Sequence, residues 1–390
     1  MRAFTRLVVR RFRTPLSLGL AAAAALVLPG TALAAGPASA VIGHVYLDDN
    51  PAGPNTIAGF ARHGDGSLTA LPGSPFAAGG LGTGTGLGSQ GAIALADRGR
   101  YVLAVDASSR QISVLRVRRN GSLRRVEDAP VSSGGTDPVS IAVSGSLVYV
   151  ANAGPGASNY TGFVLRRGGR LRPLSHSTVA LPDGSGPGDV LFNGDRTRLV
   201  GVRINSSLID SFSVGVDGRL RPAPGSPFPA QGLGPFGSEF RPTNPDQLFV
   251  SNAHNAGTGT VSAFTDAADG TLSSIGNSPF SDDQVAPCWV TITHDGEHLF
   301  AVNTASGSIS RFSIASNGAL TLLGSTPVGA SGGLGATDAA VTPDDSHLYV
   351  NESRIAAVGE FALSGGHLTE LPGSPVALPA GSAPAGIAVS

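Results

Sequence analysis

One short arrangement of apolar and polar positions recurs seven times. An apolar residue, two variable positions, usually Phe, a turn with Asp-Gly, Asn-Gly or Gly-Gly, and then Leu spans Ile57 to Leu68, Ile112 to Leu123, Tyr160 to Leu171, Ile209 to Leu220, Val261 to Leu272, Ile309 to Leu320 and Val358 to Leu368. Alternation on both sides of a turn that tolerates positive φ is the signature of a β-hairpin. The closing leucines lie 55, 48, 49, 52, 48 and 48 residues apart. A period of that size belongs to radial β-arrays, in which each unit is one small antiparallel sheet.

Residues 286 to 331 show a whole unit. Ala286 to Ile292 reads as a first strand, His294-Asp295-Gly296 as a turn, Leu299 to Val302 as a second strand, and Asn303 to Ser308 as a polar loop. The hairpin of strands three and four follows, with Asn317-Gly318 at its tip. Apolar residues on both faces require each sheet to be packed between two others, which a closed ring supplies. The expected fold is therefore all-β, a seven-bladed β-propeller of four-stranded antiparallel blades. Val45-Tyr46-Leu47 reads as strand two and Ala383 to Val389 as strand one, so the two ends of the chain should share a blade and close the ring. Ring closure also lets residues 41–390 form one domain, because each blade packs only on its neighbours. The Gly-rich run from Gly79 to Gly86 lacks the following helix that a phosphate loop needs, and reads as a flexible crossover.

Residues 1–40 stand apart from this pattern. Arg2, Arg6, Arg10, Arg11 and Arg13 precede an apolar run from Leu16 to Leu28, followed by the small-residue sites Ala32-Leu33-Ala34 and Ala38-Ser39-Ala40. That is the form of a secretory leader, with the mature chain starting near Ala35 or Val41, and it predicts an exported protein without a membrane span. Cys288 is the single cysteine, so no internal disulfide is available.

Charge is unevenly placed. Residues 41–230 hold 18 Arg against 13 acids, a net +5, whereas residues 231–390 hold 3 Arg against 14 acids, a net −11. Arg116, Arg118, Arg119, Arg124 and Arg125, with Arg166, Arg167, Arg170 and Arg172, fall on outer strands of two adjacent blades. This rim is either a solvated face or a contact for an anionic surface such as a cell-wall polymer. A net-acidic chain without a recognition motif excludes nucleic acid as the expected partner. A monomer is expected.

The repeats, with Pro-Gly-Ser-Pro-Phe after strand four at Pro72 to Phe76 and Pro224 to Phe228, resemble the lactonase or 6-phosphogluconolactonase-type propeller family, and the fungal carboxymuconate-cyclising propellers with it. The resemblance implies a site at the channel mouth, built from a Pro-Arg-His triplet opening one strand and an Asn-Glu pair after another. In this chain the Pro position holds Pro138, Pro187, Pro235, Pro287 and Pro384, with Gln90 and Ala336 in the other two blades, and none is followed by Arg-His. Asn351-Glu352 resembles the Asn-Glu pair, one residue early.

The candidate chemistry follows from position. Asp189 and Asp338 occupy equivalent places three blades apart, where two carboxyls can divide acid and base roles or simply tie their strands to backbone donors. His254 lies in a Gly-rich loop near Asn252 and is the histidine placed for proton transfer; Glu352 completes the catalytic candidates. Trp289 and Phe236 can floor a ligand site or pack together, with Asn252 and Asn303 as polar ligand-binding candidates. His294, Asp295 and His298 sit on the turn at the opposite face, so no metal is expected, and no cofactor. Two functions remain open: a secreted platform binding a small molecule, glycan or protein at the channel mouth, or a divergent lactone hydrolase or cyclising enzyme.

Overall fold

The computed structural model describes residues 39–390, apart from residue 128, residues 254–256 and residues 330–334. The leader expected over residues 1–40 therefore lies, up to residue 38, outside the described residues. So does His254. Among the described residues no helix is long and apolar enough to cross a membrane.

Seven antiparallel sheets form the blades, numbered here from the first complete one. Blade 1 runs from its axial strand Ile93–Ala96 through Tyr101–Asp106 and Gln111–Val117 to Leu123–Arg125. Blades 2 to 6 begin on the axial strands Pro138–Ser144, Pro187–Phe192, Pro235–Arg241, Pro287–Ile292 and Ala336–Val341. Blade 7 joins the two ends of the chain. Its axial strand Ile387–Val389 pairs antiparallel with Val41–Asp48, setting Val45 opposite Val389 and Leu47 opposite Ile387. The expected closure is thus observed.

Six blades carry a fifth short strand that four-strand counting does not reveal. In Pro72 to Phe76 and its counterparts, strand four ends, the chain turns, and an aromatic or aliphatic residue, preceded by Pro except at Val179 of blade 2, pairs back onto the start of strand three. Phe76 lies opposite Ile57, Phe228 opposite Ile209 and Phe280 opposite Val261. The Ser of the same turn accepts a strand-three backbone N–H, from Gly59 to Ser74, Ser211 to Ser226, and Glu360 to Ser374. Blade 5 lacks the motif. There strand four simply continues, Leu320–Pro327, along the whole of Ser308–Ile314.

Blades pack face to face through apolar residues of strands two and three. Between blades 4 and 5, for example, Phe249, Val261, Leu299 and Phe312 form one buried cluster. The hairpin glycines lock these faces. Gly121 has φ +79°, and a Cβ added there would stand 2.1 Å from the His44 ring of blade 7. The Tyr46 hydroxyl donates to the Gly121 carbonyl at 2.7 Å, and Tyr149 does the same to Gly218 and Tyr349 to Gly66. The turn glycine therefore meets two demands, a left-handed backbone and a close neighbour.

Candidate functional site at the channel mouth

Strand-one starts, strand-two ends and the crossovers between blades converge on one face, the channel mouth. The crossover from blade 7 to blade 1 enters this opening. It is not the loose connection its glycines suggest. Phe76–Gly82 is a paired strand, and Asn50 fastens the next turn, its side chain accepting from Thr83 N at 2.8 Å and donating to Thr85 O at 2.7 Å.

Residues 89–91 then cross the axis. The Ser89 hydroxyl donates to Val139 O of blade 2, and the Ser89 carbonyl accepts from the Trp289 indole of blade 5 at 2.7 Å. Gln90 N donates to Gly188 O of blade 3. The Gln90 amide donates to Ser238 O of blade 4 and Val290 O of blade 5, and accepts from Val290 N. Gly91 N donates to Asp338 of blade 6, while Gly91 O accepts from Ile141 N of blade 2. Three consecutive residues thus contact five blades, and the chain plugs its own channel. Gln90 is not the first residue of an axial strand, because blade 1 starts pairing only at Ile93.

The plug divides the axis. On the mouth side, a pocket of about 300 Å³ lies between Gly84–Ser89 and the starts of blades 5 to 7. Its walls are Trp289, Thr337, Ser353, Ser382 and the stretch Ala383–Ala385, with no charged side chain. On the other side, a chamber of about 340 Å³ is lined by Asp189, Glu239 and Asp338 with Thr291 and Ser238.

The structure brings Asp189 and Asp338 to this far chamber, beyond the plug from the mouth where they were expected. Asp189 accepts from Ser140 Oγ at 3.2 Å, Ser238 N at 3.0 Å and Ser238 Oγ at 2.7 Å, tying blades 2, 3 and 4 together. Asp338 accepts from Gly91 N and Ala339 N. Burial pushes both carboxyls up to about 7. Burial, with the charges of Asp189 and Asp338 adding to it, pushes Glu239 up to about 8. Glu239 went unnoticed in the sequence because nothing about its spacing distinguishes it from a strand residue.

The last residue of strand two follows a rule in most blades. Asp106, Asn252 and Asn303 each reach a hydroxyl two places into strand three, on Ser113, Ser262 and Ser310. Arg203 pairs with Asp210 at the same place. Asn252 and Asn303 are fully buried, so their amides hold strands and do not project into the mouth. Blade 6 breaks the rule. Glu352 pairs with Ala357, and two places further into strand three stands Gly359, where a Cβ would lie 2.8 Å from Glu352 Oε1. Where blades 1, 4 and 5 offer a hydroxyl, blade 6 has a glycine, so among the described residues no side-chain donor meets Glu352 Oε1. Glu352 Oε1 is buried without a hydrogen-bond partner, as are both amide atoms of the preceding Asn351. Burial raises the Glu352 carboxyl to about 7, with Glu370 adding to the shift. An orphaned buried acid is costly and marks a place where packing alone did not choose the residue.

Phe236 packs edge-on against Trp289, ring centroids 4.9 Å apart, and only Trp289 reaches the mouth pocket. Cys288 beside it is a buried free thiol, pushed up to about 11 by burial. On the opposite face Asp295, Glu297 and His298 gather their ligand atoms within 4.8 Å, but His294 turns to Asp345 at 2.9 Å.

This architecture is a seven-bladed β-propeller whose axial mouth is occupied by its own chain. Residues 241–384 match the family described as "Lactonase, 7-bladed beta-propeller". None of the curated proteins compared with it matches the chain. Among solved structures it is similar to a candidate 6-phosphogluconolactonase from Bacteroides uniformis, with 18% identity over 90% of this chain and 100% of that one, and a TM-score of 0.73. A candidate 6-phosphogluconolactonase from Bacteroides fragilis gives 19% identity, coverage of 89% and 98%, and 0.72. The periplasmic gluconolactonase of Pseudomonas aeruginosa gives 15%, 89% and 98%, and 0.71. The chain has the fold of a seven-bladed β-propeller, and its residues 241–384 are similar to the lactonase propellers.

Proposed function

We propose that this exported propeller holds a small neutral ring, a sugar or a lactone, in the mouth pocket, with the Trp289 indole as its apolar wall and hydroxyls as its polar one. The supporting observation is the pocket itself. It joins an aromatic side chain to Thr337, Ser353 and Ser382 without any charged group, the combination that suits a hydroxylated ring presenting an apolar face and a polar edge. Trp289 is the only tryptophan, so its fluorescence reports on this pocket alone. Titration with neutral sugars and lactones should produce saturable quenching, weakened by Ser353→Ala. A flat response across the panel would remove the reading. Export is carried by the Arg-rich, apolar leader pattern, and N-terminal sequencing of protein recovered from culture medium tests it.

Glu352 favours a second reading, lactone hydrolysis. A carboxyl held near 7 is matched to proton transfer at neutral pH, and Ser353, the next residue, lines the pocket. In that reaction Glu352 takes a proton from water as the water oxygen adds to the ring carbonyl. It then returns that proton to the ring oxygen as the C–O bond breaks, so a hydroxy acid leaves and the carboxylate is restored. Proton release against a lactone panel distinguishes the two readings. Turnover that Glu352→Gln abolishes makes the protein an enzyme, whereas quenching without turnover leaves it a binder.

A further inference from the structure

The mouth reading leaves unused a dense cluster of positive charge among the described residues. Two concavities adjoin on blades 1 to 3, away from the mouth. One, of about 620 Å³, is lined by Arg98, Arg100, Arg166, Arg167 and Arg196, which come from turns of three successive blades, and by Asp97. The other, of about 640 Å³, lies between the outer strands of blade 1 and the hairpin of blade 2, with Arg116, Arg124, Arg125, Arg167 and Arg170 around one carboxylate, Glu127. Arg167 lines both, so they form one continuous track. The track is exposed.

Two carboxylates, Asp97 and Glu127, share the lining with the arginines, most of which form no ion pair. Among the described residues no carboxylate pairs with Arg98, Arg124, Arg125, Arg166, Arg167 or Arg196; Arg100 alone in the track is paired, with Asp97 at 2.8 Å. The blade 2 hairpin presents Arg166, Arg167 and Arg170 together because it closes in one tight 3-10 turn, with Gly168 at φ +83°. Arg116 is braced over the Tyr101 ring, 5.5 Å from its centroid. Arg125 lies along Gly79, where a Cβ would stand 2.8 Å from its side chain. Unpaired like charges gathered in a concavity repel one another, and an anion relieves that repulsion.

We propose that this track binds a linear, base-free polyanion, a flexible chain carrying repeated carboxylate or phosphate groups. Guanidinium forks grip such groups two hydrogen bonds at a time. Two concavities in series suit an extended chain rather than a single ion. The cleft is concave, unlike the flat contact a bilayer offers. No aromatic side chain lines it, so the stacking that single-stranded nucleic acids draw on is missing.

The test measures binding of fluorescent oligogalacturonate and of polyphosphate to the full chain across a salt series, the two arms separating carboxylate from phosphate sources. The triple variant Arg166→Gln/Arg167→Gln/Arg170→Gln is set beside Arg118→Gln/Arg119→Gln, which removes exposed arginines outside the track. Binding by one or both polyanions that falls roughly tenfold or more in the triple variant, with the salt slope reduced by about three, and little in the control supports the track. Equal losses in both variants, no saturable binding at low salt, or tighter binding of single-stranded DNA of matched length would each overturn it. Unchanged thermal melting of the triple variant confirms that the loss is one of charge, and Arg167→Lys gives a folded variant that keeps charge while losing the fork.

Discussion

The two chambers on either side of the plug are built from the same ring of axial strands and differ in chemistry. The mouth pocket has an indole, hydroxyls and small residues; the far chamber has three carboxyls. The difference lies in who supplies the donors. At the mouth, loop residues 84–89 form the roof and bring backbone and hydroxyls. Further in, the carboxyls take backbone N–H groups and serine hydroxyls from neighbouring blades and act as ties across the ring. One propeller axis can thus carry a ligand-sized pocket and a structural knot a few residues apart, and equivalence of position in the repeat does not imply equivalence of role.

The largest way to break this contrast is to remove a wall common to both chambers. Deleting residues 382–390 takes Ser382–Ala385 from the mouth and Ile387 from the far chamber, and opens blade 7. Thermal melting should show a loss on the order of several kcal/mol or outright failure to fold, and an unchanged curve would contradict the closure. Loosening the plug is a smaller change. Gln90→Ala deletes three hydrogen bonds to blades 4 and 5 and should cost roughly 1–3 kcal/mol, with a red-shifted Trp289 emission as water reaches the indole.

The pH dependence sharpens the same contrast. Asp189, Asp338 and Glu239 have folded-state values raised to about 7, 7 and 8, so the folded protein binds more protons than the unfolded chain between roughly pH 4 and pH 8. Their contribution is full in acid and declines as pH rises through that window. Melting temperature should therefore be higher at pH 5.5 than at pH 8.5, and Asp189→Asn with Glu239→Gln should flatten the difference. A melting temperature that rises with pH would refute the assignment. The smallest effect is expected in the mouth: Thr337→Val removes one exposed-side hydroxyl and should leave melting within about 0.5 kcal/mol while weakening ligand quenching.

Much of the fold was legible because its signals are local. Asn-Gly and Asp-Gly turns, alternating strands and a period near 48 residues fix the blades, and the split blade follows from matching Ala383–Val389 to the other axial strands. The plug was legible only as a length, the 55-residue interval from Leu68 to Leu123, since its partners Val139, Gly188, Trp289 and Asp338 are far apart in sequence. The fifth strands give no signal because in five of the six blades only two residues pair, too few for a periodicity. Asn351-Glu352 could be flagged as a pair, yet its peculiarity depends on Gly359 standing diagonally across the sheet from it. Asn252 and Asn303 were drawn to the mouth by their type; the hydroxyls that hold them are visible only in the folded register.

Closure of blade 7 also sets an order of events. Ser390 bonds to His44, a residue 346 positions earlier, so the pairing that completes the ring waits until all the intervening blades have been synthesised. Until then the Val41–Asp48 strand presents a bare edge to its surroundings, and the nascent ring is vulnerable to joining a second chain at that edge. The step that shapes the mouth pocket is therefore also the slowest loop to close, and folding yield should be limited there rather than within any single blade.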